Sequence, residues 1–217
     1  MKIAIMGGGP EENLPDLTAY NNEDTVWVGV DRGVYYLLER GIAPVVAFGD
    51  FDSVTKKEWE EIRNQVGEIK KFRPEKDETD MELALAWAME QKPSEVVLLG
   101  ATGGRLDHFF GNVSLLLKKN WLHSKTRICL VDNQNWISIY LPDTHSIYLD
   151  KTSKYISFFP VKESVSGLTL EGFKYPLSGQ TVDMGSTLCI SNELIGQKGT
   201  FSFTSGIIMV VRSRDRL

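Results

Sequence analysis

Cysteine and histidine are scarce in this chain, with two and three among 217 residues. Cys129 and Cys189 each lie inside an apolar run and read as buried reduced thiols, which excludes a disulfide framework. So few sulfur and imidazole donors also disfavour a zinc centre. No apolar run reaches the length of a membrane span. The opening Met1-Lys2-Ile3-Ala4-Ile5-Met6 becomes Gly7-Gly8-Gly9 too soon for a secretory h-region, so a cytoplasmic protein is expected. Excess positive charge is missing as well: 24 Lys and Arg against 29 Asp and Glu give a formal net charge of -5. General nucleic-acid binding, which needs a basic footprint, is thereby disfavoured. An acidic protein can still bind a polyanion through a metal and a few placed cations, for which Lys76 and Arg105 are the candidates.

What is present is an ordinary globular composition, 42% hydrophobic and 24% charged. From Met1 to about Ser124 short apolar strands (3–6, 26–30, 45–48, 95–99) alternate with helical stretches (33–40, 56–65, 80–91, 106–120). That alternation predicts a parallel sheet flanked by helices. After about Lys125 the pattern changes to short strand-like runs between turn residues, at 127–131, 136–140, 146–149, 155–159, 168–171, 187–190, 200–203 and 207–211. An all-β sandwich or jelly-roll-like domain follows, giving domains at 1–124 and 125–217.

Two acidic clusters carry the chemistry, Gly49-Asp50-Phe51-Asp52-Ser53 and Lys76-Asp77-Glu78-Thr79-Asp80. The first follows the apolar run Val45–Phe48, a buried strand that delivers its loop to the crevice where open α/β sheets bind ligands. Asp50 and Asp52, two apart in extended chain, aim at one point. In the second, Thr79 and Glu82 fit a capping box, which sets Asp80 in the first turn of a helix beside the positive end of its dipole. Carboxylates from neighbouring loops suit Mg²⁺, which takes protein oxygens together with substrate phosphates and water. The same residues also suit plain turns, with Asp50 or Ser53 capping a helix near Thr55.

Gly100-Ala101-Thr102-Gly103-Gly104-Arg105-Leu106-Asp107-His108 is a further strand-to-helix loop, whose glycines let backbone N–H groups approach an anion. It has neither Walker nor Rossmann spacing. Gly7-Gly8-Gly9-Pro10 reads as a structural turn, and His108 as a residue that satisfies its loop.

Taken in order, Val-Asp31-Arg-Gly, Gly-Asp50-Phe-Asp52-Ser, Lys76-Asp-Glu-Thr-Asp80, Gly-Gly-Arg105-Leu-Asp107-His and Ser191-Asn192-Glu193 resemble the bacterial thiamine pyrophosphokinase family. The resemblance implies an α/β catalytic domain, a β-sandwich, and a homodimer with active sites between subunits. It implies ATP and thiamine as substrates, with the thiamine hydroxyl attacking the β-phosphorus to give AMP and thiamine diphosphate. Residue by residue it implies Asp50, Asp52 and Asp80 at Mg²⁺ and the phosphates. Asp31, Lys76, Thr79, Gly103, Gly104, Arg105 and Asp107 fall on the ATP side, and Tyr175, Ser191 and Asn192 on the thiamine side. Tyr175 stands where relatives often carry a Trp over the substrate rings. The rival readings are a pyrophosphokinase for another heterocyclic alcohol such as a pterin, a Mg²⁺-dependent phosphohydrolase, and a nucleotide sensor without turnover.

Overall fold

A computed structural model describes residues 1–52, 54–71, 77–150 and 152–215. The chain forms two compact units, Met1–Asn133 and Gln134–Leu217. In the first, β1 (Lys2–Met6), β2 (Thr25–Val30), β3 (Val46–Gly49), β4 (Glu68–Lys71), β5 (Glu95–Leu99) and β6 (Arg127–Val131) run parallel in the order β4-β3-β2-β1-β5-β6. Ile3, Ile5, Met6, Leu98 and Leu99 in the central strands are fully buried, as strands covered on both faces require. The crossovers carry α1 (Arg32–Glu39), α2 (Lys56–Gln65), α3 (Asp80–Glu90), α4 (Leu106–Leu115) and α5 (Lys119–Leu122).

Register sets the strand ends level: Met6 pairs with Gly29 and Leu99, Val30 with Phe48, and Leu99 with Val131. The loops after β1, β2, β3 and β5 therefore leave from one edge of the sheet. The strand order also reverses between β1 and β5, which opens a crevice at their carboxyl ends.

Three departures from the sequence expectation have clear causes. Arg127–Val131, expected in the second domain, pairs in parallel with β5, so the first unit runs on to Asn133 rather than stopping near residue 124. The helix expected over 106–120 is two helices, because the N–H groups of Leu116, Leu117 and Lys118 bond three residues back and tighten the chain. Strand β4 was not expected, since Glu-Ile-Lys-Lys has no apolar run. Its lysines lie over rings, Lys70 Nζ 5.6 Å from the Phe48 centroid and Lys71 Nζ 5.1 Å from that of Trp59.

The second unit holds β7 (Asn135–Tyr140), β8 (Thr144–Tyr148), β9 (Tyr155–Pro160), β10 (Val165–Glu171), β11 (Leu177–Val182), β12 (Lys198–Ser202) and β13 (Ile208–Ser213). They make antiparallel arrays β7-β13-β9 and β11-β10-β12-β8. One apolar cluster joins both arrays, with the rings of Phe158 and Phe201 5.1 Å apart, so the expected sandwich is present. Residues 187–190 form a turn instead of a strand, tied in by Phe158 N–H to Cys189 O at 3.0 Å. β11 escaped the pattern because Ser178 to Thr181 are all exposed. Cys129 and Cys189 are buried, and neither is in a disulfide.

Candidate active site

A cleft of about 1180 Å³ lies at the carboxyl edge of the first unit's sheet. One half is acidic. Asp31 directly follows β2 and turns the chain at φ 47°, a conformation uncommon outside glycine. Its Oδ1 accepts from Phe51 N at 3.4 Å, and a Cβ on Gly49 would stand 2.0 Å from that same oxygen. The loop after β3 therefore needs glycine for Asp31 to reach it.

Asp50 and Asp52 both face the cleft, but through a turn and not the extended chain expected: Asp50 Oδ1 accepts from Asp52 N at 3.0 Å, and Phe51 at φ 61° buries its ring. Thr55 caps α2, with Thr55 Oγ1 accepting from Glu58 N at 3.3 Å and Glu58 Oε2 from Thr55 N at 2.6 Å. Asp50 is thus spared for the cleft, and Ser53 lies outside the described residues. Asp80 opens α3 behind Thr79, whose Oγ1 accepts from Glu82 N at 3.1 Å. Thr79 and Asp80 line the cleft, and the Glu82 carboxylate pairs with Lys118. Burial first, and then the charge of Asp80, push the Asp31 carboxyl up to about 6, with Asp50 and Asp52 adding to the lift. The four aspartates share one electrostatic field. Among the described residues, no group of three or more His, Cys, Asp or Glu is drawn together tightly enough to enclose a metal.

The other half is backbone. Gly7 N donates to Leu99 O and Gly9 N to Gly100 O, each at 2.8 Å. A Cβ on Gly9 would meet Gly100 O at 2.6 Å, so Gly7-Gly8-Gly9 is both a turn and a wall of the cleft. Gly103 and Gly104, at φ 75° and 63°, continue that wall toward α4. Arg105 lines it too, yet its Nε and Nη2 hold Asp107 at 3.1 and 2.5 Å. That hydrogen bond is the first cause of the Asp107 carboxyl lying below its ordinary range. A phosphate approaching Arg105 meets a guanidinium already engaged. Lys76 lies outside the described residues.

Sequence reasoning missed Asn112, whose Nδ2 donates to Ala101 O at 2.9 Å and braces the glycine loop, and the cleft-lining Arg32 and Lys118. A polar side chain in the second turn of a helix behind a glycine loop was the available signal for Asn112.

In the second unit Asn192 is 1% exposed. Its Nδ2 donates to Tyr175 O at 2.8 Å, while its Oδ1 accepts from Tyr175 N at 3.0 Å and Glu193 N at 2.9 Å. The amide expected on the thiamine side fixes the backbone of Tyr175, whose side chain is exposed. Ser191, also exposed, sits at φ 57° with its N–H on Ser157 Oγ at 2.9 Å.

The family model described as thiamin pyrophosphokinase, catalytic domain, matches residues 17–130, and the one described as its vitamin B1 binding domain matches 144–208. The chain belongs to the thiamine pyrophosphokinase family. Within this family, the thiamine pyrophosphokinase of Bacillus subtilis (strain 168) is 48% identical over 213 residues, 98% of this chain and 99% of that one. A crystal structure of thiamine pyrophosphokinase from Bacillus subtilis superposes at TM-score 0.95 with 47% identity, covering both chains fully. One of thiamin pyrophosphokinase from Geobacillus thermodenitrificans gives 0.91 with 51% identity, over 99% of this chain and 98% of that one. The α/β unit followed by a sandwich is the architecture that resemblance to the thiamine pyrophosphokinase family implied.

Proposed function

We propose that the chain transfers the pyrophosphoryl group of ATP to thiamine, giving thiamine diphosphate and AMP. The observation that carries this reading is the convergence of four aspartates and two glycine loops at the sheet's switch point in a member of this family. The thiamine hydroxyl gives up its proton, its oxygen bonds to the β-phosphorus, the bond from that phosphorus to the oxygen bridging to the α-phosphate breaks, and AMP leaves with that oxygen. Such a transfer needs mainly positioning and charge stabilisation. Asp50, Asp52 and Asp80 would hold Mg²⁺, which supplies charge stabilisation to the transferred phosphates. The fit is supported by the gathering of Asp31, Asp50, Asp52 and Asp80 along one cleft, where burial first and then the neighbouring carboxylates disfavour the charge of Asp31, so that a counter-charge is called for. It is supported also by their open arrangement, because Mg²⁺ takes few protein ligands and leaves room for phosphate oxygens and water.

Thr79, Gly103, Gly104, Arg105 and Asp107 form the ATP side, together with Asp31, and Lys76 is assigned there by resemblance. With Ser191 and with Asn192, which steadies it, Tyr175 takes the thiamine side. Its ring suits the permanent cation of thiamine, a contact of roughly 0.5–2 kcal/mol. A homodimer is supported by large apolar side chains left exposed, Leu106 and Phe110 on α4 and Leu188, Ile190 and Ile195 in the second unit. Two buried cysteines outside any disulfide support a cytoplasmic setting.

The test is incubation with Mg²⁺, ATP and thiamine. AMP formed in equal amount with thiamine diphosphate is the expected result. ADP would make the protein a simple kinase, and free phosphate a hydrolase, either of which overturns the reading.

A further inference from the structure

Three cations line the cleft among the described residues, Arg32, Arg105 and Lys118, and they are held very differently. Arg105 and its partner Asp107 are two residues apart with side chains 73% and 62% exposed, so water competes for both. Lys118 stands at the joint between α4 and α5, where its ammonium pairs with Glu82 and lies 4.9 Å from the Trp121 ring centroid. Arg32 reaches across the fold instead. Its Nη2 meets Glu58 Oε1 at 3.2 Å, 26 residues away, and the Glu58 side chain is only 10% exposed. The Arg32 guanidinium carbon also lies 5.9 Å from the Tyr36 ring centroid.

Glu58 is itself locked, because its second oxygen accepts from Thr55 N at 2.6 Å at the head of α2. Thr55 ends the loop that carries Asp50 and Asp52. On its other side Arg32 packs on the first glycine loop, where a Cβ on Gly8 would stand 3.2 Å from Arg32 Cβ. Three cleft loops therefore meet at this one residue: the glycine loop after β1 packs on its backbone end, its own loop after β2 carries it, and its guanidinium is tied through Glu58 to the loop after β3. A planar fork with five donors, restrained by a buried carboxylate and a ring, is preorganised for phosphate oxygens. Glu58, nearly buried and anchored at Thr55, offers a fixed partner that restrains the partly exposed guanidinium from the protein side.

We propose that Arg32 is a phosphate-binding cation at the junction of the acidic and glycine halves, and that Glu58 is the positioning residue that aims it. The inference rests on the nucleotide reading above. Calorimetric titration with Mg²⁺–ATP, and separately with thiamine, tests it without needing turnover. Arg32→Gln is expected to weaken ATP binding about tenfold or more, with thiamine affinity held within twofold. Arg32→Lys, which keeps charge but not the fork, is expected to weaken it by a smaller factor. Glu58→Gln preserves the capping box, because glutamine also accepts from the cap N–H, so its melting temperature should match the wild type while ATP binding weakens several-fold. In the Arg32→Gln background, Glu58→Gln should cost nothing more.

Unchanged ATP affinity in Arg32→Gln and Arg32→Lys overturns the clamp. Additive losses in the double variant, or equal losses for ATP and thiamine, overturn the positioning role. A wild type that binds ATP yet makes no AMP with thiamine overturns the proposed reaction alone. Failure of the wild type to bind ATP overturns both.

Discussion

The two halves of the cleft recruit opposite resources. The acidic half uses side chains at a cost, with Asp31 held at φ 47° and its carboxyl pushed to about 6 by burial and its neighbours. The glycine half uses main chain, and its cost is steric: Gly7, Gly9 and Gly100 exist because two loops touch without room for a Cβ. Damage to the first half should thus spare the fold and remove chemistry, while damage to the second should remove the fold.

The largest expected effect is that of Asp80→Asn, which removes charge with little change in volume. Turnover of ATP with thiamine should fall by roughly a thousandfold or more, with circular dichroism and melting temperature preserved. Near-wild-type kcat at saturating Mg²⁺ would erase the distinction between the halves. Gly100→Ala makes the reverse cut. At φ 58° a methyl there would stand 2.3 Å from Gly7 O, so urea unfolding should show a loss of about 3 kcal/mol or more.

Asp31→Asn should sharpen the comparison through pH. The folded-state carboxyl ionises near 6 against an ordinary 3.8, so folding penalises the ionised form. That penalty is absent below about pH 4, grows as pH rises, and is complete above 6. The variant should accordingly gain about 1–2 kcal/mol at pH 7.5 relative to pH 4, a figure reduced for the solvent that still reaches Asp31. Added Mg²⁺ should narrow the gap by stabilising the wild type. An equal gain at both pH values would mean that the backbone angle, not charge, sets the cost. The smallest effect is expected outside the cleft: Tyr175→Ala should raise the KM for thiamine by roughly 2- to 30-fold while leaving that for ATP unchanged. Equal shifts would remove Tyr175 from substrate contact.

Much of this was legible in the chain. Asp50, Asp52 and Asp80 stood out because each follows a strand or opens a helix, where local pattern fixes position. The parallel sheet and the sandwich were readable from apolar runs. What local pattern cannot carry went unread. Gly7-Gly8-Gly9 gains its second meaning from Gly100, on a different strand's loop. Glu58 gains its role from Arg32 across 26 residues. The brace that Asn192 gives to Tyr175 spans 17 residues and has no local signal. β6 was assigned to the wrong unit because an apolar strand does not announce whether its neighbour runs parallel.

The lysines of β4 have a consequence for how the molecule behaves in a crowd. The outermost strand of a sheet is a template on which another chain can polymerise, and a row of apolar residues there would invite it. Lys70 and Lys71 instead rest over Phe48 and Trp59, so they shield grease and repel a like-charged intruder at once. Neutralising both would turn a self-limiting sheet into a sticky one, and the first symptom would be turbidity at high concentration rather than any change in catalysis.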